Sequence, residues 1–229
     1  IGLALAEAFL QQGNEVIICG KDQQKLAAAK KRFPAVHCIN CDICCTDQQQ
    51  RLSEVIANRH PSLNMLINNA GIQQVMDFSD DDLPAAKITD EITTNLLAPI
   101  QLTHKLLARL NQNAGSSVIF ISSALARVPK RSAPVYSASK AGIHIFARSL
   151  RYQLQGSGIR VIDIVPDLVG TGMTRSYPVK NKMSASTMAA QVIRQLALGK
   201  EDILIGRTAL LFRLHRLLPW LAYRLLKQN

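Results

Sequence analysis

The sequence predicts a three-layer α/β fold, a doubly wound parallel sheet with helices on both faces, and two observations carry that expectation. Short β-branched runs of strand length alternate with longer helical stretches through the chain. Such alternation favours right-handed crossovers between parallel strands, which put helices on both faces of one sheet. The polar residues with chemical potential also follow the β runs: Gly20-Lys21, Asp42, Asn68-Asn69-Ala70-Gly71, Ser122-Ser123 and Pro166-Asp167. Open α/β sheets bind ligands there, beyond the carboxyl ends of their strands.

Residues 1–12 are rich in Ala and Leu and read as a helix closed by Gly13. The run 15–19 reads as a buried strand. A polar helix over 22–32, a strand at 36–41, a helix over 47–58 and a strand at 63–67 continue the pattern. A long helical stretch precedes the strand 117–121, and another, 135–155, precedes the strand 159–165. No low-complexity linker divides the chain, and 229 residues with 48% hydrophobic content suit one large domain. Residues 1–206 form that domain, and 207–229 form a basic, amphipathic helical extension. In it Leu210, Leu211, Leu214, Leu217 and Leu218 alternate with Arg213 and Arg216. Such a stripe ordinarily packs on a core or a subunit interface, the favoured reading; contact with an anionic membrane surface is the alternative.

Twenty-seven basic against 16 acidic residues give a net charge of +11, and 207–229 hold five basic residues and no acidic one. Aromatics make up only 5% of the chain, so the stacking groups of a nucleic-acid face are lacking and no nucleic-acid partner is expected. The five cysteines lie within 19–45, odd in number and without a signal peptide, which fits a reducing, cytoplasmic setting. Cys38, Cys41, Cys44 and Cys45 have metal-like spacing, but Asp42 falls inside the set and no partner cluster exists elsewhere, so no metal is expected. No apolar run approaches the about 18 residues of a transmembrane helix. The chain begins with Ile1 rather than Met.

Tyr136 and Lys140 follow Pro134, a natural helix opener, and share one helical face. An ammonium beside a phenol favours the phenolate and pulls its pKa down from about 10, which makes a usable general acid or base. Spacing alone does not select this pair, because Tyr223 and Lys227 repeat it.

Joined with Asn69-Ala70-Gly71, Ser123 and Asn95, the Tyr136–Lys140 pair resembles the short-chain dehydrogenase/reductase family over nearly the whole chain. The stretch Asn68 to Gln73 with Asp77-Phe78 is similar to its DltE-like subgroup. The family pattern has a serine thirteen residues before the tyrosine: Ser123 stands there for Tyr136, whereas Leu210 stands there for Tyr223, so Tyr136 is the catalytic candidate. Ser122 is the rival serine, and the alternating faces of a strand allow only one of the two to face substrate.

The resemblance implies a Rossmann-type fold and a hydride transfer between a nicotinamide and a carbonyl or secondary alcohol. Tyr136 would exchange a proton with the substrate oxygen and Ser123 would hydrogen-bond it. Lys140 would lower the Tyr136 pKa and hold the ribose, and Asn95 would hold a water linking Lys140 to solvent. Asn69, Ala70 and Gly71 would let the cofactor pass close to the backbone, Asp42 and Ile43 would meet its adenine, and Pro166, Val169 and Thr171 would touch its nicotinamide and phosphates. Asp167 departs from the Gly or Pro usual there, and an acidic group beside a pyrophosphate must point away. Gly2 matches the last glycine of a Gly-rich turn, so the fold is expected without its first strand and Gly-rich loop. After the second strand Gly20 stands where an NAD-user has an acidic residue, and Lys21 offers a charge for the NADP 2′-phosphate; NADP is expected, with NAD the alternative. Arg127, Lys130 and Arg131 read as a solvated loop, attraction of an anionic substrate being the alternative. Residues 174–186 are expected to form a mobile lid. The family further implies a homodimer or homotetramer, and the rival function is a non-catalytic cofactor-binding or membrane-peripheral protein that keeps the fold.

Overall fold

The structure, a computed structural model, describes residues 1–175, 177 and 181–227. Its described strands are all parallel. β1 (Ile17–Gly20) pairs with β2 (His37–Asn40), while β3 (Met65–Asn68), β4 (Ser117–Ile121), β5 (Arg160–Val165) and β6 (Asp202–Leu204) pair in that order. β1 and β3 do not pair with each other, so the sheet breaks where the doubly wound order has its first strand. The helices are α1 (Gly2–Gln11), α2 (Gln23–Arg32), α3 (Thr46–Arg59), α4 (Ala85–Ile92), α5 (Ala98–Asn111), α6 (Pro134–Gln153), α7 (Ala185–Ala197), α8 (Thr208–Leu217) and α9 (Pro219–Lys227).

Side-chain alternation along β4 and β5 divides the core between the two faces. Ile119, Ile121, Ile162 and Ile164 meet Leu5 of α1 and Met188, Ala189 and Val192 of α7. Val118, Phe120 and Val161 meet Leu110 of α5 and Ile143, Ala147 and Leu150 of α6. Every residue of β4 is buried, which is why its sequence after Ser117 is apolar without alternation. Cys41 fills a third cluster with Leu52, Ile56, Leu102 and Leu106; burial pushes its thiol up to about 11, so it is an inert core residue.

The long helical stretch is α4 and α5 joined by a π-helical turn, Thr93–Leu97. The lid expected over 174–186 lies partly outside the described residues. Its far end is pinned, because Met183 N donates to Leu168 O at 3.0 Å and Gly170 N to Met183 O at 2.8 Å, and α7 has begun by Ala185. The leucine stripe of the tail is packed on the core only in part, with Leu211 and Leu214 half-buried. Leu210, Leu217 and Leu218 are exposed, and among its described residues only Thr208, Phe212 and Ala222 are buried.

Candidate active site

Pro134 opens α6, and one face of that helix carries Tyr136 and Lys140 into the protein, 9% and 5% exposed. The Lys140 ammonium donates to the carbonyl of Ile121, the last residue of β4, at 2.8 Å, and lies 5.7 Å from the centroid of the Tyr136 ring. Burial drags the Lys140 pKa down to about 8, with Asp163 partly opposing. Burial pushes Tyr136 up to about 12; its hydrogen bond with Ser123 acts the other way, while Tyr177 and Glu91 add to the rise. The expected lowering of the Tyr136 pKa is thus reversed. Removing the phenolate from water outweighs an ammonium that is bonded to Ile121 and itself disfavoured by burial.

The two serines after β4 diverge. The buried Ser122 hydroxyl donates to Ile164 O at 3.4 Å, toward β5. Ser123 is hydrogen-bonded to Tyr136 and accepts from Leu125 N at 3.1 Å.

Asn95 lies in the π-helical turn, 1% exposed. Its Oδ1 accepts from Ile72 N and its Nδ2 donates to Ile72 O, both at 2.8 Å, and Nδ2 also donates to Ser139 Oγ at 3.1 Å. The side chain thereby clamps the loop after β3 onto α6. Gly71 fits beneath: a Cβ there would stand 3.2 Å from Asn95 Oδ1 and 3.5 Å from Lys140 Nζ. π-turns recur at functional sites because they re-aim one side chain inside a helix.

Sequence reasoning misses Glu91, one turn before Asn95. It is fully buried; Oε1 accepts from Gln74 N at 3.0 Å, and Oε2 has no hydrogen-bond partner. Burial pushes its carboxyl up, with the Gln74 bond opposing, and its charge reaches both Tyr136 and Tyr177. The signal was present in the spacing, since a carboxylate four residues before a buried Asn shares its helical face.

Two of the three loop cations are engaged. The Arg127 guanidinium stacks 4.3 Å from the Phe212 ring centroid and reaches His144 Nε2 at 3.3 Å, while His144 Nδ1 bonds the buried carboxylate of Asp163. Lys130 sits 4.2 Å from the Tyr177 ring centroid. Arg131 is exposed. The decoy Tyr223 bonds His215 Nε2 at 2.9 Å, within the tail.

At the cofactor end, Gly2 opens α1 against Asn69, so closely that a Cβ would stand 2.5 Å from Asn69 Nδ2. Ala70 links Asn69 to Gly71 in the same segment. Lys21 is 75% exposed and 3.8 Å from Asp42, whose Oδ1 also accepts from Cys44 N at 2.9 Å and so closes a turn. Ile43 packs partly buried on the third core cluster. Val169 turns its side chain into the core, and its carbonyl accepts from Thr174 Oγ1 at 2.6 Å; Thr171 N donates to the same hydroxyl at 3.0 Å. Pro166 is half-buried after β5. Asp167 does point away, accepting from Arg207 N at 3.1 Å and Nε at 3.0 Å; burial alone would raise its pKa, but these bonds hold it below the usual carboxylate value.

Among the described residues one trio has metal-ligand geometry, Glu15, His37 and His60, with donor atoms within 4.8 Å of one another. The 2.7 Å contact of His60 Nδ1 with Glu15 accounts for it without an ion, and Lys30 and Arg59 line the same hollow, a charge that opposes a cation.

Comparison with known proteins agrees with this fold. The family described as short chain dehydrogenase matches residues 1–182. The uncharacterized oxidoreductase DltE of Bacillus subtilis (strain 168) is 35% identical over 208 residues, 89% of this chain and 82% of its own length. The crystal structure of a short chain dehydrogenase from Burkholderia cenocepacia J2315 in complex with NADP superposes with a TM-score of 0.87 at 23% identity, covering 98% of this chain and 92% of that one. A short-chain dehydrogenase from Sphingobium yanoikuyae in complex with NADPH has a TM-score of 0.80 at 21% identity, over 89% of this chain and 82% of that one. With a family match running from α1 through the Tyr136 helix, the chain belongs to the short-chain dehydrogenases and is an oxidoreductase of that family.

Proposed function

We propose that the chain is an NADP-dependent oxidoreductase acting on a small carbonyl or secondary alcohol, with Tyr136 as general acid and base. The observation that carries this reading is the convergence of Ser123 and Lys140 on Tyr136 at the end of β4, with Gly71 against the lysine and Asn95 bonded to the neighbouring Ser139. The residues present fit a dinucleotide. Gly2 lets the start of α1 lie so close to Asn69 that a Cβ would clash with its side chain, and the first turn of α1 carries no acidic residue, which suits a pyrophosphate at the helix N-terminus. The exposed Lys21 suits the 2′-phosphate of NADP, and the relatives solved with NADP and NADPH support that choice, NAD being the alternative.

When bound, the nicotinamide supplies or accepts the hydride. Ser123 orients the substrate oxygen, Tyr136 gives it a proton in reduction and takes one in oxidation, and Lys140 holds the ribose hydroxyls. The Asn95 side chain holds the Ile72 loop against α6, and Asn95 would hold a water linking Lys140 to solvent. The same reading gives a cytoplasmic homodimer or homotetramer.

Fluorescence titration with NADPH and NADH tests this first; binding of neither nucleotide overturns it. Lys21→Ala should weaken NADPH by about tenfold or more, the loss of one charge-assisted contact, and leave NADH unchanged. Tyr136→Phe should abolish turnover of an active carbonyl while keeping nucleotide affinity, and Tyr223→Phe should change neither.

A further inference from the structure

The tail after β6 carries a surface that hydride transfer does not use. Arg207 ties its start to Asp167, and Phe212 of α8, 7% exposed, lies against the Arg127 guanidinium, so α8 rests on the segment joining Ser123 to Tyr136. Past that anchor the chain turns outward. Where α8 gives way to α9, Arg216, Leu217, Leu218, Pro219 and Trp220 are exposed in succession, Leu217 at 76% and Trp220 at 61%. Arg213 and Arg216 precede this apolar tip in α8 and Arg224 and Lys227 follow it in α9, and 207–229 contain no acidic residue. Arg131, Trp220, Tyr223, Arg224 and Lys227 line a hollow of about 500 Å³ beside it.

We propose that the α8–α9 pair docks the protein on an anionic lipid bilayer, with Leu217, Leu218 and Trp220 in the interface and the arginines and Lys227 on the headgroups. Leucines and a tryptophan left in water give the isolated chain no stability, whereas a basic helix with that apolar edge is suited to lie in a membrane surface. Charge distinguishes a bilayer from a second copy of the chain, because pairing two such faces would set cation against cation with no carboxylate to answer. A hollow with three cations and two aromatic rings suits a lipid phosphate at the interface, where Trp and Tyr are at home. Among the described residues no helix is long and apolar enough to cross a membrane. Docking this way sets the bilayer beside the Ser123–Tyr136 segment.

Trp220 is the single tryptophan, so its emission reports the contact directly. The full chain is mixed with neutral phosphatidylcholine vesicles, and with vesicles holding about one-third phosphatidylglycerol. Blue-shifted emission and co-sedimentation on the anionic vesicles only, weakened about tenfold or more as salt rises from about 0.1 M to about 1 M, support the proposal. Arg213→Gln/Arg216→Gln/Arg224→Gln and, separately, Leu217→Ser/Leu218→Ser should each lower vesicle binding about tenfold or more, with circular dichroism and nucleotide affinity unchanged. Equal binding to both vesicle types overturns it. So does failure to bind either, with a concentration-dependent dimer that Leu217→Ser/Leu218→Ser dissolves, which would assign the face to a second copy.

Discussion

Lys140 is 5% exposed, and burial lowers its pKa to about 8, with Asp163 partly opposing. A lysine whose native pKa is lowered makes the unfolded chain bind more protons between about 8 and the ordinary 10.5, so stability rises with pH across that window. Below it the full penalty stands, on the order of 3 kcal/mol before the Ile121 bond offsets part of it. Lys140→Met should therefore melt several degrees higher than the parent at pH 7 and abolish turnover, and the difference should vanish near pH 11; calorimetry across that range reads both, and a lower melting point at pH 7 would refute the assignment. Glu91 gives a second prediction. Its charge raises the Tyr136 pKa, so Glu91→Gln should move the acid limb of alcohol oxidation to lower pH in a kcat/KM profile, whereas a merely structural role would change the rate without shifting the limb. Ser123, Tyr136 and Lys140 were legible through fixed intervals in the chain. The direction of the tyrosine's titration was not, because it depends on how much water α6 excludes.

The π-helical turn is the element on which the site depends. It lets Glu91 and Asn95 both reach the loop after β3, at Gln74 and Ile72, while α5 continues beneath it. Deleting Thr94 would shorten this turn and rotate α4, with Glu91, by about 100° against Asn95. Helix content by circular dichroism should survive, and nucleotide affinity and turnover should fall together; a fully active deletion would show that the turn is incidental. Gly71→Ala presses on the same clamp, since Asn95 is held at Ile72 and Ser139 and has little room to yield. A helical sequence does not announce a π-turn, which arises where packing on both neighbours forces one extra residue into a turn. The leucine stripe of the tail shows the same limit. Its period identifies a helix, and says nothing of which neighbour, if any, waits on its apolar side.

At the scale of the molecule, α8 is joined to the sheet by a chain of contacts running Phe212, Arg127, His144, Asp163, from the tail to the middle of β5. Phe212→Ala should cost about 3 kcal/mol and expose the tail to trypsin at its arginines; unchanged melting and protection would mean that α8 is held elsewhere. The net charge of +11 also acquires a geography at this scale. Arg127 and Lys130 are stacked on rings, whereas Arg131, Arg224 and Lys227 gather around one hollow.

By itself the sequence determined the alternating strands and helices, and it named Asn95, Ser123, Tyr136 and Lys140 as the candidate set. All of these follow from local periodicity or from intervals that the chain carries as text. Only the tertiary structure decided that Ser122 turns toward Ile164, that Asp167 binds Arg207, that burial raises Tyr136, and that Leu217, Leu218 and Trp220 face outward. Exposure and electrostatic surroundings are set by segments distant in sequence, and no local pattern encodes which of them will meet.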